Sequence, residues 1–174
     1  MVSFISLSDA RPNRKATTPL INQICSQTRN PSLCLQVLKS NTRSARADLR
    51  GLGKISINIA RKNAKHTSKL IASLMKEATN SSSLKGGYDV CAELYGGAID
   101  DLNKAGQILN KKVLSASDIS TFRSEASAAS DGPVTCEDSF EGPPNEPSKL
   151  KEADKKFKDL CDIVLVIGAS LKSG

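Results

Sequence analysis

The clearest pattern in the chain is a run of apolar positions spaced alternately four and three apart: Leu84, Tyr88, Cys91, Tyr95, Ala98, Leu102, Ala105 and Leu109. That spacing keeps one stripe of an α-helix turned to a core and leaves the residues between it in water. A long helix precedes it, from about Ser44 to Thr79, with Leu52, Ile55, Ile59, Ala60, Ala64, Thr67, Ile71 and Leu74 as its stripe. Gly51 and Gly53 weaken the start of that helix, and the Asn80-Ser81-Ser82-Ser83 run ends it. A third long helix follows on Ile119, Phe122, Ala126, Ala129, Cys136 and Phe140. Gly132-Pro133 falls on the same seam and predicts a kink or an interruption there. Beyond the break at Gly142-Pro143-Pro144-Asn145-Glu146-Pro147, the last helix carries Leu150, Phe157, Leu160, Cys161, Val164, Ile167 and Leu171 on one side.

Two shorter amphipathic segments come first. Leu20, Ile21 and Ile24 share a face, and Asn30-Pro31 then restarts a helix with Asn as cap and Pro at its first position. Leu33, Cys34, Val37 and Leu38 form the apolar side of that second segment. Residues 11–18 are polar and basic and read as a disordered lead-in. The first ten, MVSFISLSDA, read as the remnant of a signal peptide: a short apolar run from Val2 to Leu7, then small Ser8 and Ala10. The expected architecture is all-α. Residues 19–42 form a helical hairpin, residues 43–174 an up-down-up-down four-helix bundle, and residues 1–18 stay outside the domain.

Composition fits that reading. With no Trp, two Tyr and four Phe, the core must be built from Leu, Ile, Val and Ala, which suits packed helices. The net charge of +7 raises nucleic acid, a membrane surface or an acidic polymer as partner. The basic residues are spread along the chain without an aromatic stacking platform, which argues against nucleic acid. No stretch approaches the roughly 18 apolar residues of a membrane span.

Five cysteines stand at Cys25, Cys34, Cys91, Cys136 and Cys161, with no C-x-x-C and a single histidine, so the common zinc spacings are absent and no cofactor is expected. Five thiols in a small domain point to two disulfides, one odd cysteine and an oxidising compartment. Cys25 and Cys34 lie nine apart, close enough to staple the hairpin. Asn80-Ser81-Ser82 is the one glycosylation sequon and falls in a predicted loop.

Catalytic chemistry is hard to find. His66 has neither a thiol nor a carboxylate within four residues and reads as a surface histidine. Gly86-Gly87 and Gly96-Gly97 lie inside a helix pattern, without the strand a phosphate loop needs. Lys111-Lys112 and Lys155-Lys156 read as solvated faces. No catalytic residue is assigned, and the chain is not expected to be an enzyme. One outer face is less bland: Glu93, Gly97, Asp100 and Lys104 recur at four, three and four, offset by two from the seam. Asp138 stands two beyond Cys136 as Glu93 stands two beyond Cys91. Were those cysteines bonded, Glu93 and Asp138 would be near neighbours on adjacent helices. The patch is either a docking surface or solvated charge.

The motifs ICSQTRNPSLCLQVL (24–38), TCEDSFEGPPN (135–145) and DLCDIVLVI (159–167), with the lone cysteine of the second long helix, resemble the plant invertase and pectin methylesterase inhibitor family. The likeness covers about residues 20–171. It implies bridges Cys25–Cys34 and Cys91–Cys136 and a free Cys161. It also implies a secreted, cell-wall protein that covers the pectin-binding cleft of pectin methylesterase one-to-one, with contacts at Glu93, Asp100 and Asp138. Weak association with anionic pectin would suit the charge. Gly97, Ser130 and Pro133 depart from the residues (Asp, Phe and Ala) found in a family member, which bears on affinity and local packing. Invertase-directed members insert a Pro-Lys-Phe tripeptide between the second and third long helices, and LNKKVLSASDISTF (109–122) has none. Invertase inhibition is therefore the second reading, and a non-inhibitory structural member of the fold the third.

Overall fold

The computed structural model describes residues 17–78, 80–140 and 147–174. Among these residues six α-helices run in order: α1 (Thr17–Cys25), α2 (Pro31–Ser40), α3 (Leu49–Glu77), α4 (Ser82–Ile108), α5 (Ala116–Asp138) and α6 (Ser148–Ser170). No strand occurs among the described residues. Most of the expected lead-in and all of the signal-peptide remnant lie outside the described residues. Thr17 and Thr18, assigned to that lead-in, are already helical.

Local chemistry sets the helix starts. Asn30 caps α2 by accepting from the Leu33 amide at 3.1 Å, with Pro31 in the first turn. The expected start of α3 near Ser44 is corrected. Asn41 caps a 3-10 turn over Thr42–Arg46, and α3 begins only after Asp48 accepts from the Gly51 amide at 2.7 Å. Ser81 caps α4, and Ser115 with Asp118 forms a reciprocal capping box on α5. The interruption predicted at Gly132-Pro133 does not occur, since α5 runs unbroken through both residues. Proline removes one backbone hydrogen bond. The segment is held from outside by the Cys91–Cys136 bridge one turn further on, and by Gly132, whose added Cβ would lie 3.4 Å from the Leu94 carbonyl oxygen.

The four long helices pack in a ring, α3 on α4, α4 on α5, α5 on α6 and α6 back on α3. The α1–α2 hairpin sits on α6 and the start of α3. Its turn is fixed by two aspartates of α6: Asp162 accepts from the Arg29 amide at 2.7 Å, and Asp159 from the Asn30 side chain at 2.9 Å. Buried Ala60, Ala64, Ala98, Ala105, Ala126 and Ala129 let the helices approach closely, while Tyr95, Phe122 and Phe157 fill the larger spaces. On α3 the stripe differs in detail from expectation: Ile57 is buried, and Ile59 only half-buried. Gly53, read as a weak point, is instead a close approach, where an added Cβ would lie 2.9 Å from Leu109 Cδ1.

One polar knot lies in this apolar interior. The Tyr95 hydroxyl donates to buried Asp154, with the buried Thr67 side chain beside Tyr95, so α3, α4 and α6 meet there. Burial and the neighbouring Asp154 both raise the Tyr95 pKa, which keeps the phenol protonated as the donor. Both implied disulfides are present, with Cα–Cα distances of 5.3 Å for Cys25–Cys34 and 4.7 Å for Cys91–Cys136. Cys161 is free and buried, and burial pushes its thiol up to about 12, so the reactive thiolate is suppressed.

Charge is not spread evenly once the chain is folded. Helix α3 carries seven Lys and Arg against Glu77 alone, whereas α4 and α5 together carry nine acids and three bases. The ring order sets α3 diagonally across from α5, so the bundle has a basic side and an acidic side.

Three outcomes follow for stability. An added Cβ at buried Gly168 would lie 2.7 Å from the ring of Phe122, which is fully buried, whereas Gly97 has no atom within 4 Å. Gly97→Ala is expected to stabilise by up to about 1 kcal/mol, the helix-propensity difference. Gly168→Ala is expected to destabilise, because overpacking of about 1–3 kcal/mol outweighs that same gain. Thermal unfolding of both variants checks the pair. Reducing Cys91–Cys136, which are 45 residues apart, is expected to cost about 4 kcal/mol in denaturant titration.

Candidate functional site

The acidic side is built on α4 and α5, which run antiparallel. The seam of α4 turns Tyr88, Cys91, Tyr95 and Ala98 inward, so Glu93, Gly97, Asp100 and Lys104 are all exposed. Asp138, the last residue of α5, is exposed too. His66 and the Lys111-Lys112 and Lys155-Lys156 pairs are exposed, as the sequence indicated. Asn80 is exposed in the turn just before the Ser81 cap.

Between the two helices runs a shallow groove of about 330 Å³, lined by Val90, Glu93, Leu94 and Gly97 of α4 and Asp131 and Thr135 of α5, among others. Asp100 and Asp138 lie outside it. Because the helices are antiparallel, two residues beyond each bridged cysteine lead in opposite directions. Glu93 and Asp138 are therefore offset by about 6 Å along the bundle axis, at 1.5 Å per residue. They share a face without forming a tight pair.

The acids of this side divide into two sets. Asp101 and Glu125 are bridged by Lys104 at 3.0 and 3.5 Å, Asp118 holds Lys111 and its own cap, and Glu137 receives Lys151 and Lys158 from α6. Those contacts leave their mark on protonation. The hydrogen bond from Lys111, with the Ser115 cap, lowers Asp118 to about 2, and Lys158 and Lys151 hold Glu137 below its usual value. The same logic reversed raises Lys104, through Asp101 first. Asp89, Glu93, Asp100, Asp131 and Asp138 are the second set, and none has an ion pair among the described residues.

The apolar part of this face was not legible as such. Val90 and Val134 are exposed at 40% and 46%, on α4 and α5 on either side of the bridge. Their signal was an apolar residue off the heptad seam. Exposed Val90, sharing the groove with Glu93 and Asp131, makes a surface suited to a partner with donors or cations around an apolar patch. Among the described residues no group of three or more metal-binding side chains converges.

A disulfide-tied bundle with an exposed acidic face and a hairpin on its flank describes a class of plant proteins. Residues 19–167 match the plant invertase/pectin methylesterase inhibitor family, a family of enzyme inhibitors, and the chain belongs to it. A pectinesterase inhibitor of Actinidia deliciosa is 54% identical over 167 residues, 96% of this chain and 87% of that one. The cell wall/vacuolar inhibitor of fructosidase 2 of Arabidopsis thaliana is 27% identical, over 93% of this chain and 87% of that one. Among solved structures, a mutant form of a pectin methylesterase inhibitor from Arabidopsis superimposes with a TM-score of 0.75 at 30% identity, covering 88% of this chain and 98% of that one.

The division into paired and unpaired acids is directly testable. Alanine at Glu93, Asp100 or Asp138 is expected to shift stability by no more than about 0.5 kcal/mol. Asp118→Ala is expected to lower stability through the lost capping box. With its pKa lowered in the fold, the Asp118 contribution is complete above about pH 4 and fades as pH falls toward 2. Thermal unfolding of the four variants, at neutral pH and near pH 2, reads both effects.

Proposed function

We propose that this chain is a proteinaceous inhibitor of plant pectin methylesterase, which it covers one-to-one over the pectin-binding cleft. It thereby regulates methylesterification of cell-wall pectin and is not itself an enzyme. The observation that carries this reading is the 54% identity, sustained over 96% of the chain, to a pectinesterase inhibitor. The unpaired carboxylates supply the chemistry: Glu93, Asp100 and Asp138 on the α4–α5 face would meet hydrogen-bond donors and cations at the rim of the cleft.

The same relationship supports a secreted, cell-wall location, and the two disulfides, which persist in an oxidising compartment, fit it. No helix of the described residues is long and apolar enough to cross a membrane. Asn80 would carry a glycan there, and the net charge of +7 would give weak association with anionic pectin. Invertase inhibition has more distant relatives behind it, at 27–30% identity, and the Pro-Lys-Phe insertion is missing.

The purified domain is expected to slow demethylation of pectin by a plant esterase at near-equimolar ratios and to leave a cell-wall invertase untouched. Inhibition of invertase alone overturns the assignment, and inhibition of neither favours a structural role. Within an active complex, Glu93→Ala, Asp100→Ala and Asp138→Ala locate the contact. Losing one partner of a desolvated charged pair costs about 2–5 kcal/mol, roughly thirty-fold or more in the inhibition constant. Gly97→Asp, in open space one turn from Glu93, is expected to tighten binding.

A further inference from the structure

The basic side of the bundle has a shape as well as a charge. Lys54, Asn58, Arg61, Lys65, Lys69 and Lys76 recur along α3 at intervals that keep them on one outer face. At 1.5 Å per residue they form a ridge about 33 Å long. At its N-terminal end the ridge opens into a groove of about 470 Å³ between α3 and α4. Arg43, Lys54 and Arg61 line it together with the carboxamides of Asn58, Asn103 and Gln107, and no carboxylate does. None of the three cations has an ion pair among the described residues. The Arg61 Nε is buried with no hydrogen-bond partner, an arrangement that costs free energy unless a ligand supplies the acceptor.

Cations beside carboxamides are the donor set for an acidic carbohydrate: the cations face carboxylates, and the amides exchange hydrogen bonds with hydroxyls and ring oxygens. Nucleic acid fits less well. No aromatic ring lines the groove, so bases would have nothing to stack on. The two disulfides also belong to a compartment outside the cytosol.

We propose that this groove and the α3 ridge form a binding site for a linear polyuronate, the demethylated stretches of pectin. The proposal rests on the weak pectin association put forward above and gives it a location. Because α3 lies across the ring from α5, a bound polyuronate leaves the acidic face open. The carboxylate-bearing chain that a pectin methylesterase makes would then retain the inhibitor where the enzyme has been at work.

The test is titration calorimetry with an oligogalacturonate at low salt, beside the same oligomer fully methyl-esterified and a single-stranded DNA of matched charge. The free acid is expected to bind, to weaken steeply as salt rises, and to exceed the ester and the DNA by about tenfold or more. Arg43→Gln with Lys54→Gln, both at exposed positions, is expected to lower affinity about tenfold. Lys155→Gln with Lys156→Gln removes the same charge from α6 and should change it by no more than about twofold. Arg61→Lys keeps the charge but loses the Nε donor, and is expected to weaken binding as well. Equal loss from the α6 pair means diffuse attraction and overturns the site while leaving pectin association standing. DNA binding of equal strength at the same residues overturns the choice of ligand. No binding by the parent removes the association itself, with esterase inhibition, measured separately, unaffected.

Discussion

The height of α4 against α5 is set by one covalent tie, and both halves of the acidic face depend on it. With the Cα atoms of Cys91 and Cys136 4.7 Å apart, the two helices cannot slide without breaking the bridge. Close contacts on either side agree with that register. Gly87 receives the ring of Phe140 above the bridge, Gly132 seats on the Leu94 carbonyl below it, and Lys104 reaches Glu125 further down. A side chain at Gly87 would press against the Phe140 ring, so that glycine is part of the same constraint. The unpaired acids and the two exposed valines are thereby carried at fixed relative heights on a rigid surface. Preorganisation of this kind lowers the ordering cost of docking a protein partner.

Folding also does something to the charges that no linear count reveals. A chain with a net charge of +7 presents a helix with seven bases and one acid on one side, and on the other a pair of helices in which acids outnumber bases three to one. Opposite faces of one small domain can then meet partners of opposite charge at the same time. The segregation carries a cost in self-repulsion along α3, which is moderated by the exposure of most of those cations to solvent.

Much of the fold was legible in the sequence because a heptad seam is a long, redundant signal. The four helices, the core side of each and the inward cysteines followed from it, and Asn30-Pro31 marked the hairpin. Three features were less accessible, for physical reasons. The start of α3 depended on a competition between two caps, Asn41 and Asp48, that periodicity does not weigh. Pro133 was read by its local penalty, which the bridge and the Gly132 contact override. Asp154 stands four after Leu150 and three before Phe157 on the seam, a spacing that marks it as buried, but its partner Tyr95 is 59 residues away. For the proposed docking face, exposure of Glu93, Asp100 and Asp138 followed from the offset to the seam. Which acids were already engaged could be seen only once Lys104, Lys111, Lys151 and Lys158 had found their partners.

The central claim is that the esterase meets the α4–α5 face and leaves the α3 ridge in solvent. Carboxyl and lysine footprinting of the inhibitor, alone and saturated with a plant pectin methylesterase, tests it in one mass-spectrometric measurement. The account predicts that labelling falls at Glu93, Asp100 and Asp138 in the complex while Lys54, Lys65 and Lys69 label as they do in the free protein. Protection of the α3 lysines, with the acids of α4 and α5 labelled as before, would contradict it.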